Sequence, residues 1–316
     1  MAKFTYLCAG DLVSLSRLNH SPTLFSIRLE KAKKQADFPG PYKIGTKELI
    51  FSNRLGSGSF ATVYLGQWNG QQVAIKTLTP KDDIEYMKCE NEKNIMQQLR
   101  ELNAPYVVQF CGYSLNSAGY CIVMEYMNKG TLEDAILNHS QPFDWSVRYE
   151  ILKKITYAIT FLHKNMILHC DIKSANILLD DKNQVKLGDF GLAKRNNGKA
   201  RCVGTPPWMA PELFQDEPHS EKTDIYALSM TMWEVTAWDA EPYKPAQFGH
   251  DLSWFMQEIL KGTREVIPSN CPKKMALLIT WGWQQNPVKR PTAEEYRAQF
   301  DSDITSIDDK LAALSL

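Results

Sequence analysis

Four residues along this chain of 316, Lys76, Asp171, Asn176 and Asp189, are of the types that move a proton and hold a hard cation beside an anion. Asn176 stands five positions after Asp171, in His169-Cys170-Asp171-Ile172-Lys173-Ser174-Ala175-Asn176. A carboxylate there can accept the proton of a hydroxyl nucleophile, and an amide oxygen can ligate Mg²⁺. Thirteen residues later Asp189-Phe190-Gly191 brings a second hard oxygen ligand. Either Asp or Asn alone is an ordinary turn former. The chemistry is carried by their order and combination.

An anion cradle precedes them. In Leu55-Gly56-Ser57-Gly58-Ser59-Phe60-Ala61-Thr62-Val63 the residues Gly56 and Gly58 allow backbone N–H groups to approach a negative ligand that a Cβ would obstruct. Taken alone, a glycine-rich hairpin without a ligand explains this stretch equally well. A dinucleotide fingerprint must open a helix, whereas Thr62-Val63-Tyr64-Leu65 is β-prone, and no Gly-Lys-Ser/Thr ends the run as a P-loop requires. Val73-Ala74-Ile75-Lys76 follows and sets a fixed cation on the next strand.

The elements that must position these groups divide along the chain. From Glu48 to about Glu125 short β-prone runs, such as Val73–Lys76 and Cys121-Ile122-Val123-Met124, alternate with turn signals such as Asn69-Gly70. One helical stretch interrupts them, with Ile84, Met87, Cys89, Ile95, Met96 and Leu99 expected on its apolar face. After Gly130 the pattern is mainly helical. Ile151, Leu152, Ile155, Ala158, Ile159, Phe161 and Leu162 line one face of a long helix, and Ile225–Trp233 reads as a helix buried nearly all round. The expected fold class is α+β, a small β-rich lobe with one helix followed by a larger, mainly helical lobe. The expected boundaries are an N-terminal extension over 1–45, the small lobe over 46–127, the large lobe over 128–300, and a tail over 301–316. Ile304, Ile307, Leu311 and Leu314 give that tail helical spacing.

Composition narrows the partners. Lys+Arg and Asp+Glu are both 36, so the chain lacks the basic excess of a nucleic-acid binder. The seven cysteines are odd in number and none are spaced Cys-x-x-Cys, which favours reduced thiols over a disulfide framework or a zinc site. No apolar run is long enough for a membrane span, and the first residues lack the pattern of a signal peptide. The expected setting is cytoplasmic. The oligomeric state stays open.

With the glycine turn, the strand lysine, the Asp171–Asn176 loop, Asp189-Phe190-Gly191 and Gly204-Thr205-Pro206-Pro207-Trp208-Met209-Ala210-Pro211-Glu212 in this order, the sequence from about Leu49 to Phe300 resembles the protein kinases. Lys173, Thr205, Trp233-Glu234-Val235 and Trp283 make it similar to the tyrosine-kinase-like group of serine/threonine kinases. The resemblance implies the bilobal kinase fold, ATP and Mg²⁺ (with Mn²⁺ as an alternative) as cofactors, and a protein as substrate. It implies that Asp171 is the base and that Lys173 neutralises charge on the transferred phosphoryl group. Asn176 and Asp189 would be metal ligands, and Lys76 would hold phosphates and pair with a glutamate of the following helix. Glu92 is the expected partner, with Glu90 as the fallback. Ala61 stands where the family often has a third glycine.

By the same resemblance Leu55, Gly56, Gly58, Val63 and Ala74 cover the adenine and phosphates, and Leu178 lies beneath the ring. Met124 is the gatekeeper, Glu125-Tyr126-Met127 the hinge, and Thr131 or Asp134 reaches the ribose. Asp224 anchors the catalytic loop's backbone, and Arg290 pairs with Glu212. Thr205 is expected to contact the catalytic loop. Two departures concern regulation. Cys170 replaces the arginine that commonly receives an activation-loop phosphate, and residues 192–204 contain no Ser, Thr or Tyr. Activity independent of activation-loop phosphorylation is therefore expected. The competing readings are a nucleotide-binding pseudokinase scaffold, a dual-specificity or tyrosine kinase, and a kinase of small molecules.

Overall fold

The computed structural model describes residues 42–58, 61–116, 119–138, 141–182, 184–196, 203–244 and 251–302. Of the expected N-terminal extension over 1–45 and tail over 301–316, residues 1–41 and 303–316 lie outside the described residues. The chain forms two compact units, the first ending at Met127 and the second beginning, after an excursion over Ala104–Val107, at Asn128.

The first unit is a five-stranded antiparallel sheet in the order β1-β2-β3-β5-β4, built from β1 (Ile50–Ser57), β2 (Ala61–Trp68), β3 (Gln71–Leu78), β4 (Phe110–Asn116) and β5 (Gly119–Glu125). Alternation along β3 sorts its side chains. Val73 and Ile75 join Ile44, Leu49, Cys121 and Val123 in a closed core on one face. Ala74 and Lys76, one residue out of phase, belong to the other face, because side chains alternate along a strand. Val63 stands opposite Lys76 and Met124 opposite Ala74, so these four share that second face.

Helix α1 (Asp83–Glu101) starts at Asp82, whose carboxylate accepts the Glu85 N–H at 2.7 Å and so satisfies one of the donors left over at a helix start. It buries Cys89, Glu92, Ile95, Met96 and Leu99. Ile84 and Met87, expected on this face, are 44% and 64% exposed. At 100° per residue Met87 falls about 80° beyond the Ile95 edge of the stripe formed by 89, 92, 95/96 and 99, whereas Ile84 lies within about 20° of that edge but in the helix's first turn.

The second unit is mainly helical, as the sequence pattern requires. It comprises α2 (Leu132–Asn138), α3 (Trp145–Lys164), β6 (Ile167–Leu168), a hairpin of β7 (Ile177–Leu179) and β8 (Val185–Leu187), β9 (Lys194–Arg195), α4 (Glu221–Ala237), α5 (Leu252–Lys261), α6 (Lys273–Gly282) and α7 (Ala293–Asp301). Every residue of α4 from Thr223 to Thr236 is buried, and α3 and α6 pack against it. A helix apolar all round must lie at the centre of its layer, and α4 does. In α3 the expected apolar positions are buried except Phe161, which is half-buried.

Candidate active site

The loop His169–Asn176 leaves β6 and is fixed from below by α4. Asp224, 1% exposed, accepts the backbone N–H of His169 on Oδ2 and that of Cys170 on Oδ1, both at 2.9 Å. His163 of α3 adds a third contact to Oδ2 at 3.0 Å. Burial alone would raise this carboxyl; the hydrogen bonds from His163 and the loop backbone outweigh it and hold it below the usual carboxylate range. Cys170 lies in the left-handed region with φ +66°, which turns the chain so that both amides point at Asp224. Its thiol is buried and pushed well above the ordinary value by burial and then by Asp224.

His169 fixes the next residue. Its Nε2 lies 3.0 Å from the Gly188 carbonyl, which can only accept, so Nε2 carries the proton. Nδ1 is then left to accept the Asp171 N–H at 3.3 Å, and the ring meets Phe190 edge-on at 5.0 Å. One neutral imidazole thus ties the loop to the segment that carries Asp189.

Asp171 sits in a polar cluster. Its Oδ1 accepts the Thr205 hydroxyl at 2.7 Å, and its Oδ2 lies 2.8 Å from Lys173 Nζ and 3.0 Å from Asn176 Nδ2. Lys173 also donates to Thr205 Oγ1 at 2.5 Å. Asn176 Nδ2 donates further to the Asp171 carbonyl at 2.7 Å, which orients the amide so that its oxygen points away from Asp171. Asp189 is exposed and left-handed at φ +55°, with Oδ1 accepting the Gly191 N–H at 3.3 Å. A carboxylate and an amide oxygen are hard donors, the chemistry Mg²⁺ takes when phosphates and water complete its shell. Among the described residues no group of three or more His, Cys, Asp or Glu is gathered for a metal.

The substrate-facing segment expected from Gly204 to Glu212 is anchored at both ends. Arg290 clamps Glu212 with two parallel contacts of 2.6 and 2.7 Å, the bidentate geometry of guanidinium on carboxylate. At the other end His219 reaches the Val203 carbonyl with Nε2 at 2.9 Å and Thr223 Oγ1 with Nδ1 at 3.1 Å. Burial pulls this imidazole down to about 4, so it is neutral.

In the first unit Lys76 Nζ and Glu92 Oε1 lie 2.6 Å apart with both side chains buried. The choice between the two glutamates is thereby resolved by geometry, for Glu90 contacts Lys93 at 2.8 Å instead. Ala74, Met124 and Met127 are buried, Val63 is half-buried, and Leu55 is exposed on β1 beside Gly56 and Gly58. The Glu125 N–H donates to the Gln109 carbonyl at 3.0 Å, and its carboxylate accepts the Gln109 N–H at 2.6 Å. In the second unit Leu178 is half-buried and bridges to Thr131. Thr131 caps α2: its hydroxyl and amide both donate to Asp134 Oδ2, at 2.7 and 2.9 Å. The two residues expected to reach the ribose are therefore bonded to each other.

Sequence reasoning gave Glu234 no role. Its buried carboxylate receives the Ser174 hydroxyl at 2.5 Å, the Ser174 N–H at 3.1 Å and the Trp208 indole N–H at 2.8 Å, joining the His169–Asn176 loop to the segment from Gly204 to Glu212. Burial pushes it up to about 8 despite those donors. The available signal was a lone acid inside the apolar run of α4, since a buried charge needs partners.

The sequence over residues 49–300 matches the family described as protein tyrosine and serine/threonine kinase. The chain belongs to this family. It is 31% identical to the serine/threonine-protein kinase STY46 of Arabidopsis thaliana over 82% of this chain and 45% of that protein. It is 30% identical to STY17 of the same plant over 85% of this chain and 47% of that protein. With the protein named "Probable serine/threonine-protein kinase roco7" of Dictyostelium discoideum it shares 38% identity over 77% of this chain and 10% of that protein. The chain thus spans from a tenth to about half the length of these relatives. Among the described residues no helix is long and apolar enough to cross a membrane.

Proposed function

We propose that this chain is an active, ATP- and Mg²⁺-dependent protein serine/threonine kinase, with its catalytic domain over residues 46–300 and the division between lobes after Met127. The observation that carries the reading is the Thr205–Asp171–Lys173 cluster, which places a carboxylate and an ammonium side by side on one hydroxyl. ATP with its metal ion would supply the γ-phosphoryl group and an electrophilic phosphorus. Asp171 takes the proton of a serine or threonine hydroxyl, and Lys173 places positive charge beside the oxygens that leave with the phosphoryl group. Lys76, held by Glu92, would bind phosphate oxygens; Gly56 and Gly58 leave open space where a Cβ would stand, although the Gly58 N–H is itself given to the Ala61 carbonyl at 2.8 Å. Asn176 and Asp189 would hold the cation. Leu55, Val63, Ala74, Met124 and Leu178 offer apolar surface to the base, with the Glu125 and Met127 backbone at its edge.

Activity does not depend on activation-loop phosphorylation in this reading. Residues 192–204 have no hydroxyl to modify, Cys170 gives no guanidinium to receive a phosphate, and Arg290 and His219 already fix the neighbouring segment through protein contacts. Cys89, Cys111, Cys121, Cys170 and Cys271 are all in the thiol form, which goes with a reducing, cytoplasmic setting.

The test is transfer of labelled phosphate to a generic protein substrate by the purified chain, beside Asp171→Asn and Lys76→Met. Phosphoserine and phosphothreonine should form with the unaltered chain and fall at least about a hundredfold in Asp171→Asn. Equal transfer by all three proteins would leave a nucleotide-binding scaffold, and phosphotyrosine as the main product would overturn the acceptor class. Phosphatase treatment should leave the rate unchanged.

A further inference from the structure

Glu90 and Glu92 stand two positions apart on helix α1, and of these two only Glu92 takes part in the ion pair with Lys76. Glu90 points to a different flank, since two residues turn the helix by about 200°. Its Oε1 accepts the Tyr120 hydroxyl at 2.9 Å and its Oε2 meets Lys93 at 2.8 Å. Tyr120 begins the buried part of β5 and is 1% exposed. Its ring is stacked at 6.1 Å with Tyr113 of β4 and meets Tyr86 of α1 edge-on at 6.2 Å, while the Lys93 ammonium lies 4.9 Å from the centre of Tyr113. Tyr86, Glu90 and Lys93, at i, i+4 and i+7, thus form a second stripe of α1 bound to the far strands of the sheet.

We infer that Tyr120 and Glu90 are positioning residues for the Lys76–Glu92 pair, resting on the kinase reading above. A helix held to a sheet by one stripe can still roll about its axis, and a roll of one residue's angle would swing Glu92 off Lys76. Strands β3 and β5 are direct neighbours, with Lys76 opposite Ile122 and Leu78 opposite Tyr120. The two anchors on the sheet are therefore two residues apart in register, on adjacent strands, and they grip α1 on two flanks. Burial, and then the Glu90 carboxylate, push the Tyr120 hydroxyl far above its ordinary value, so it stays a donor. Glu90 keeps about a third of its side chain in water, so losing the tyrosine hydroxyl leaves it hydrated and the fold intact.

Tyr120→Phe removes one oxygen and keeps the ring. Amide exchange in Asp83–Glu101 should then accelerate by roughly fivefold, with β3 and the second unit unchanged. kcat should fall by a similar factor, with KM for the protein substrate unaltered. Glu90→Ala should reproduce both effects, Glu90→Gln, which keeps an acceptor, should restore them, and the Tyr120→Phe/Glu90→Ala pair should be no worse than either alone. Unchanged exchange in α1, or faster exchange spread evenly over the whole first unit, overturns the assignment. The exchange measurement decides the tether without catalysis, so an unaltered chain that transfers no phosphate would defeat the kinase reading alone.

Discussion

The Lys173 ammonium donates to the Thr205 hydroxyl at 2.5 Å, joining two residues 32 positions apart in the chain. Thr205 donates its own hydroxyl proton to Asp171 at 2.7 Å, so one small side chain orders both charged groups.

Replacing Thr205 by valine keeps the shape and removes both bonds. Hydrogen bonds to charged groups are worth about 1.5–3 kcal/mol, so phosphotransfer to a serine peptide should fall by roughly ten- to a hundredfold. Thr205→Ser should retain most of the rate. A valine variant within about twofold of the unaltered chain would remove Thr205 from the ordering of the site.

Asp224→Asn should destabilise the second unit. An amide cannot accept the His169 and Cys170 N–H groups and the His163 N–H together without turning a donor toward a donor. The expected loss is about 3 kcal/mol, or a Tm lower by roughly 10 °C in thermal unfolding followed by circular dichroism. Because the Asp224 carboxyl lies below its ordinary value in the folded chain, its contribution is complete above the normal carboxylate range and disappears as pH falls through the folded value. An Asp224→Asn variant as stable as the unaltered chain near neutral pH would contradict this.

Glu234 gives the opposite pH dependence. Its folded value of about 8 exceeds the ordinary 4.5, so between these limits the folded chain binds more protons than the unfolded one. Stability from this group is complete below the lower limit and declines as pH rises through the upper, by on the order of 5 kcal/mol at most. Glu234→Gln should flatten that decline in denaturant unfolding measured across the window. Parallel curves for the two proteins would place the source of any alkaline loss elsewhere.

Glu90 and Glu92 of α1 should separate in assay. Glu92→Gln leaves the buried Lys76 ammonium without its carboxylate, and kcat/KM for ATP should drop by more than about tenfold. Glu90→Gln, which keeps an acceptor for Tyr120, should drop by much less. The reverse ranking would reassign the partner of Lys76.

What the sequence made legible was local. Strand alternation separates Ile75 from Lys76, and α4 is recognisable as a buried helix from composition alone. That Asp171 and Asn176 would meet was readable because they sit at a fixed offset in one short loop. Contacts made by long side chains across the fold were not. No spacing rule brings Glu90 to Tyr120, Ser174 to Glu234 or His219 to Val203, because each depends on how separate elements meet. The apolar face of α1 was drawn too wide for a similar reason. Ile84 and Met87 are apolar, but apolar residues are often left at the surface.

Cys170 has a further consequence for chemical labelling. A thiol reacts as the thiolate, and here burial and the carboxylate beneath both oppose its formation. Peroxides and alkylating reagents should therefore pass over the cysteine next to Asp171 while the loop is seated on Asp224. Once the loop lifts, the same sulfur becomes an ordinary reactive thiol. Its rate of modification, followed by mass spectrometry, is a clock for how often this loop leaves its seat, built into the chain without any added probe.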